Sequence, residues 1–153
     1  MSDHNALQLS SPIKIWYEAI PDTPRIRWPI VDLRMAYHGK ELPQSTFGLV
    51  DSGASISILH LHIAEILGID LVKLGRPEFT GQSVSGSYKS WVLPKPVRVN
   101  IYGYEFDFRF EVIDNPRLSW PCILGEDSIF QVARIDFQKF KGFFEVRFRQ
   151  DIN

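Results

Sequence analysis

Ten prolines and ten glycines are scattered along this 153-residue chain, cutting it into runs too short for long helices. Within those runs apolar residues recur at every second position, the spacing that puts side chains on one face of a strand. An all-β or mostly-β domain follows. The clearest run is Tyr104 to Val112, where Tyr104, Phe106, Phe108, Phe110 and Val112 share one face and Glu105, Asp107, Arg109 and Glu111 the other. Val97, Val99 and Ile101 precede it across a turn at Gly103, which predicts a hairpin. A second hairpin is predicted from Arg134 to Phe137, through Lys141-Gly142, into Phe144, Val146 and Phe148. Upstream, Ile26, Trp28 and Ile30 keep one parity while Val31, Leu33, Met35 and Tyr37 keep the other, so a bulge or bend is expected beside Pro29. The turn His38-Gly39-Lys40 returns the chain into Thr46 to Val50. Only Leu59 to Leu67 has helical spacing, with Gly68 suited to end the helix.

A composition of 44% hydrophobic and 13% aromatic residues is enough for a sizeable core without staples. Seventeen Lys and Arg against eighteen Asp and Glu leave a net charge of −1, so no overall basic field recruits nucleic acid or an anionic membrane. The single cysteine, Cys122, excludes an intrachain disulfide and a Cys-rich zinc site. Met1 to Ser11 has no signal-peptide core, and no stretch reaches the roughly 18 apolar residues of a spanning helix. These features lead to the expectation of a soluble, cytoplasmic protein with a flexible N-terminus over residues 1–12 and one domain over 13–150.

The segment that can carry chemistry is Phe47-Gly48-Leu49-Val50-Asp51-Ser52-Gly53-Ala54-Ser55, an apolar strand that delivers an aspartate into a tight turn of small residues. Gly53, lacking a Cβ, lets backbone approach the carboxylate, and Ser52 offers a hydroxyl to whatever lies alongside. The same triplet also suits an ordinary turn. A second element, Trp120-Pro121-Cys122-Ile123-Leu124-Gly125-Glu126-Asp127, precedes a helical turn and the strand Arg134-Ile135-Asp136-Phe137.

In their order, Asp51-Ser52-Gly53-Ala54, Ala64-Glu65-Ile66-Leu67-Gly68, Ile123-Leu124-Gly125-Glu126-Asp127 and Ile135-Asp136-Phe137 resemble the retropepsin-like aspartic proteases, over roughly residues 25 to 148. The resemblance implies a closed, mostly antiparallel β-barrel with one short helix after the Asp51 loop and a further helical turn after Gly125. It implies that Asp51 is catalytic and that Ser52 braces two active-site loops, with Gly53, Ala54 and Ser55 completing the loop. It further implies that Ile123-Leu124-Gly125 flanks the loop, and that the stretch containing Gly81, Gln82, Ser83, Val84, Ser85 and Gly86 forms a flap over a peptide substrate. The chemistry needs two carboxylates near one water, one ionised as base and one protonated as acid, which mutual repulsion arranges. No second Asp-Ser/Thr-Gly exists in the chain, so two copies must each lend Asp51 in a homodimer. No metal or other cofactor is implied. Ala54 stands where pepsin-like relatives carry a hydroxyl, which implies an optimum in weakly rather than strongly acidic solution.

Two positions depart from the retroviral pattern. An acidic residue and an arginine that form an ion pair there are replaced by Ser55 and Glu126, which predicts a hydrogen bond between them. A rival from another class is a dimerisation or peptide-binding module that keeps the fold and hydrolyses nothing. Other signals are weaker. His60 and His62 lack a third ligand nearby; Gly81 to Gly86 misses the spacing of a serine-hydrolase elbow by one residue. Lys139 to Arg149 interleaves basic and aromatic residues as single-strand binders do, but its alternation fits a half-buried strand, so nucleic acid and membrane are not expected partners.

Overall fold

The computed structural model describes residues 8–83 and 86–152, with the side chains of 82–86 outside the description. The chain opens with β1 (Ile13–Trp16), the hairpin β2 (Glu18–Ile20) and β3 (Thr23–Trp28), then β4 (Ile30–Tyr37), β5 (Lys40–Glu41) and β6 (Thr46–Val50). After β7 (Ile58–His60) come α1 (Leu61–Ile66) and α2 (Leu71–Leu74), followed by β8 (Phe79–Ser83), β9 (Gly86–Val92), β10 (Val97–Ile101), β11 (Tyr104–Phe108) and β12 (Glu111–Asp114). The last part runs through β13 (Cys122–Leu124), α3 (Ile129–Val132), β14 (Ala133–Gln138), a single 3₁₀ turn (Lys139–Lys141) and β15 (Phe143–Phe148).

Local chemistry accounts for the boundaries. Pro29 has no N–H and separates β3 from β4, where the alternation slips. His38 and Gly39, and again Tyr102 and Gly103, have positive φ, the two-residue turn whose twist matches paired strands. Leu59 belongs to β7 rather than to the helix, because the His60 side chain caps α1 and fixes its start at Leu61. The run from Tyr104 to Val112 is broken at Arg109-Phe110, yet Phe106, Phe108, Phe110 and Val112 are all buried. Its inward parity therefore survives while the chain changes partners, from β10 to β7 and β9.

The expected closed antiparallel barrel does not form. The large sheet is open, in the order β11-β10-β4-β6-β13-β7-β12-β9-β8 with β5 on the side of β4, and each end is a hairpin whose last strand pairs only with its own partner. Nothing among the described residues joins β11 to β8. Nor is the sheet purely antiparallel: β6 runs parallel to β13, and β7 to β12, because the chain returns to the Asp51 region from far along the sequence. Among the described residues the fold is thus mostly β, with three short α-helices. Two smaller sheets complete it, β2-β3 and β1-β15-β14.

Among the described residues one apolar cluster, including Val31, Leu33, Leu59, Leu93, Ile101, Leu124 and Phe144, draws on β4, β7, β10, β13 and β15. At roughly 1.5–3 kcal/mol for each fully buried large apolar side chain, this core gives the loops above it a rigid base. No helix among the described residues is long and apolar enough to cross a membrane.

Candidate active site

β6 is a central strand, bonded to β4 on one side and β13 on the other. Its Gly48 is closely packed: a Cβ there would come within 3.0 Å of the Leu33 side chain and 3.4 Å of that of Leu124. The parallel ladder with β13 runs on for one residue past the strand, as the Asp51 N–H donates to the Leu124 carbonyl at 3.0 Å. Asp51 therefore leaves the sheet from a fixed point. The chain then folds back, Ala54 N–H donating to the Asp51 carbonyl at 3.2 Å and Gly53 N–H to Asp51 Oδ1 at 2.9 Å. Aspartate favours this local turn because its side chain can accept from the backbone two residues on. Asp51 is half-buried, while Ser52, Gly53 and Ser55 are exposed and Ala54 is half-buried.

The loop after β13 lies against this one. Gly125 is buried, and a Cβ on it would sit 2.4 Å from the Ala54 carbonyl oxygen and 2.9 Å from that of Ile56, distances no side chain tolerates. Glu126 N–H donates to the same Ala54 oxygen at 2.8 Å. Ile123 and Leu124 pair with Leu49 and Val50, so the flanking strand and the strand carrying Asp51 are in direct register.

A residue that the sequence reading passes over binds the two loops together. Ser57 is fully buried; its Oγ accepts from Gly125 N–H at 3.0 Å and lies 2.6 Å from both Asp127 Oδ1 and Ser128 Oγ. A hydroxyl has one proton and two lone pairs. Ser57 therefore donates to the Asp127 carboxylate and accepts from Gly125 and Ser128, which uses its full capacity. The sequence held one signal for it: Ser57 has the parity of buried Leu59 and must point inward. The predicted Ser55 to Glu126 hydrogen bond is not among those of the described residues, since both side chains face solvent. The loops are joined instead through Glu126 N–H and Ser57. Beside Ser57, Glu111 has its carboxyl raised above the ordinary range, first by burial and then by the charges of Glu78 and Asp127.

The remaining predicted site residues lie elsewhere. Gly81 pairs with Tyr88 in the β8–β9 hairpin, Gln82 with Ser87 and Ser83 with Gly86; Val84 and Ser85 lie outside the described residues. Gly81 is tight, because a Cβ would approach Phe79 Cε1 to 2.7 Å. His60 and His62 are joined by the α1 cap, His62 N–H donating to His60 Nδ1 at 3.0 Å. At the outer end of β6, Phe47 and Trp28 both meet Trp120 edge-on, at 6.0 and 5.4 Å between ring centroids.

With this geometry in view, the fold can be compared with known proteins. No protein-family model matches the sequence, and no curated protein matches it. Among solved structures, the chain is similar to a retropepsin-like aspartic protease from Rickettsia conorii, with a TM-score of 0.57 and 20% identity, over 87% of this chain and 98% of that one. Looser similarity is found to the retroviral protease-like domain of Ddi1 from Leishmania major, with a TM-score of 0.46, 23% identity and 69% and 80% of the two chains covered. The protease of EIAV follows, with a TM-score of 0.40, 20% identity and 65% and 83% coverage.

Proposed function

We propose that this chain, whose fold is the retropepsin-like one, is an aspartic endopeptidase that works as a homodimer with one Asp51 from each copy. The observation that carries the reading is the setting of Asp51: a half-buried carboxylate at the end of a central strand, in a turn that faces solvent at Ser52-Gly53 and is pinned from behind by Gly125. In the proposed reaction, a water held between two Asp51 carboxylates loses a proton to the ionised one and attacks the scissile carbonyl carbon. The protonated one gives its proton to the carbonyl oxygen, producing a tetrahedral diol; as the C–N bond breaks, the proton taken from water passes to the leaving nitrogen and one diol proton returns to the other carboxylate, which restores the pair. Ser52 is assigned the bracing of the paired loops, and the β8–β9 hairpin the exclusion of bulk water.

The test is cleavage of a mixed peptide library by wild type and by Asp51→Asn, whose amide keeps the shape and cannot take up the proton. We expect loss of cleavage with an unchanged melting curve; cleavage by the variant near the wild-type rate would remove the proposal. Specific activity should also fall on dilution below the dimer dissociation constant, because a lone chain holds half a site.

A further inference from the structure

The β2–β3 hairpin starts beside the candidate carboxylate. The Val50 N–H donates to the Pro29 carbonyl at 2.9 Å, one step past the Ile30–Leu49 pair of β4 and β6. Asp51 follows Val50 and Trp28 precedes Pro29, so in this antiparallel pair the carboxylate loop and the end of β3 emerge from the sheet side by side. The base of the hairpin is fixed. Trp28 is held twice, its Nε1 donating to Thr23 Oγ1 at 2.8 Å and its ring meeting Trp120 edge-on. Ile20 is buried on the partner strand, and Pro24 and Pro29 lock φ near either end of β3. Between these anchors Pro24, Arg25, Ile26 and Arg27 are all exposed. Among the described residues β2 and β3 pair only with each other, so β3 keeps an open edge. A two-stranded arm therefore projects next to Asp51 instead of packing on the core.

The arm carries two free cations in a regular array. Arg25 and Arg27 stand two apart on one strand, which sets their side chains on one face roughly 7 Å apart. Neither makes an ion pair among the described residues, although Glu18 lies opposite Trp28 and Asp22 in the turn of the same hairpin. An extended peptide has the same repeat, since its side chains two apart also point one way at roughly 7 Å. A guanidinium is the side chain best shaped for a carboxylate, offering paired N–H donors.

We propose that the β2–β3 hairpin selects the substrate, with Arg25 and Arg27 receiving the carboxylates of two acidic residues spaced two apart in an extended peptide whose scissile bond lies at Asp51. This rests on the endopeptidase reading and adds a substrate class to it. A strand advances about 3.3 Å per residue, which starts Arg25 about 10 Å beyond Trp28. The acidic residues therefore belong a few positions from the cut bond and not next to it. In the proposed homodimer the two-fold axis supplies a second arm, which extends the preference to both sides of the cut.

The test begins with the peptides that wild type cuts from a mixed library, which should be enriched in Asp or Glu at such positions. A peptide so identified should lose about fivefold or more in kcat/KM when its two acidic residues become Gln, mainly through KM, and less at high salt. Arg25→Gln/Arg27→Gln should bring the ratio between the acidic and Gln peptides close to one. Arg25→Glu/Arg27→Glu should favour a Lys version of the same peptide. A ratio between two peptides does not change when part of the protein merely unfolds, so a structural role for the arginines would leave it where it was. Cuts without acidic positions, or a ratio that survives in the Gln variant, would overturn the arm and leave the endopeptidase reading standing. If no Asp51-dependent cleavage is found, that reading falls, and a fluorescein-labelled alternating Glu-Ala peptide decides the arm alone. Binding seen by anisotropy and lost in Arg25→Gln/Arg27→Gln would keep the arm as a site for acidic peptides; equal anisotropy in the two proteins would remove it.

Discussion

Ser57 shows how much one hydroxyl can hold. Replacing it by alanine leaves the buried Gly125 N–H without its acceptor and the Asp127 carboxylate without its donor. We expect Ser57→Ala to lower stability by about 1–3 kcal/mol in chemical denaturation, the usual range for stranding buried polar partners. Gly125→Ala should be at least as damaging, because its methyl meets backbone carbonyls rather than flexible side chains. Its signature in a peptidase assay would be loss of activity beyond the loss of fold, since the Asp51 loop must shift to make room. The turn at Asp51-Ser52-Gly53 was legible in the sequence because its bonding is local, spanning two or three residues. Ser57 was not, because Gly125 and Asp127 lie 68 and 70 positions away and only the folded sheet brings them together. The substitution of Ser55 and Glu126 was visible as a pair, but the bond proposed between them required side chains to turn inward that in fact face water.

Among the elements, α1 is capped by an imidazole, and this makes its start sensitive to acid. His60 Nδ1 accepts from His62 N–H only while that nitrogen is unprotonated. Burial and then the nearby His62 hold the His60 pKa below its ordinary value, outweighing Asp114 and Glu65, which pull it up. The folded state thus binds this proton less readily than the unfolded chain. The stabilising contribution is complete above the ordinary imidazole range and is lost as pH falls through the folded value. A side-chain cap contributes about 1 kcal/mol. His60→Asp, which keeps an acceptor at pH 5, should retain more of its pH 7 melting temperature at that pH than wild type does. An equal loss in both proteins would mean that the cap does not carry the acid response. The helix itself was legible from Leu59, Ile63, Ile66 and Leu67, but its first residue was not: β7 needs Leu59 as a partner for Cys122 and Val112, and tertiary pairing outweighed helical spacing.

On the scale of the molecule, alternation identified most strands and both main hairpins, since each depends on neighbours in sequence. It carried no information on closure. Whether β11 meets β8 depends on sheet twist and on where the β8–β9 hairpin projects, which no local pattern records. The two ends of the chain are tied together: β1 pairs with β15, and Ser10, only 2% exposed, accepts from Phe148 N–H at 2.9 Å while its own N–H reaches the Phe148 carbonyl. Ser10→Ala should therefore cost about 1 kcal/mol, read as a lower melting temperature. The parallel pairing of β6 with β13 also sets an order of events in time. The Asp51 loop takes its backbone acceptor, and the glycine that packs on it, from residues some seventy positions later, and closing so long a loop is paid for before any of those contacts form. A chain ending before Cys122 can form its first hairpins but has nothing against which to shape Asp51, so the Asp51 loop takes its final form only once β13 and Gly125 have been made.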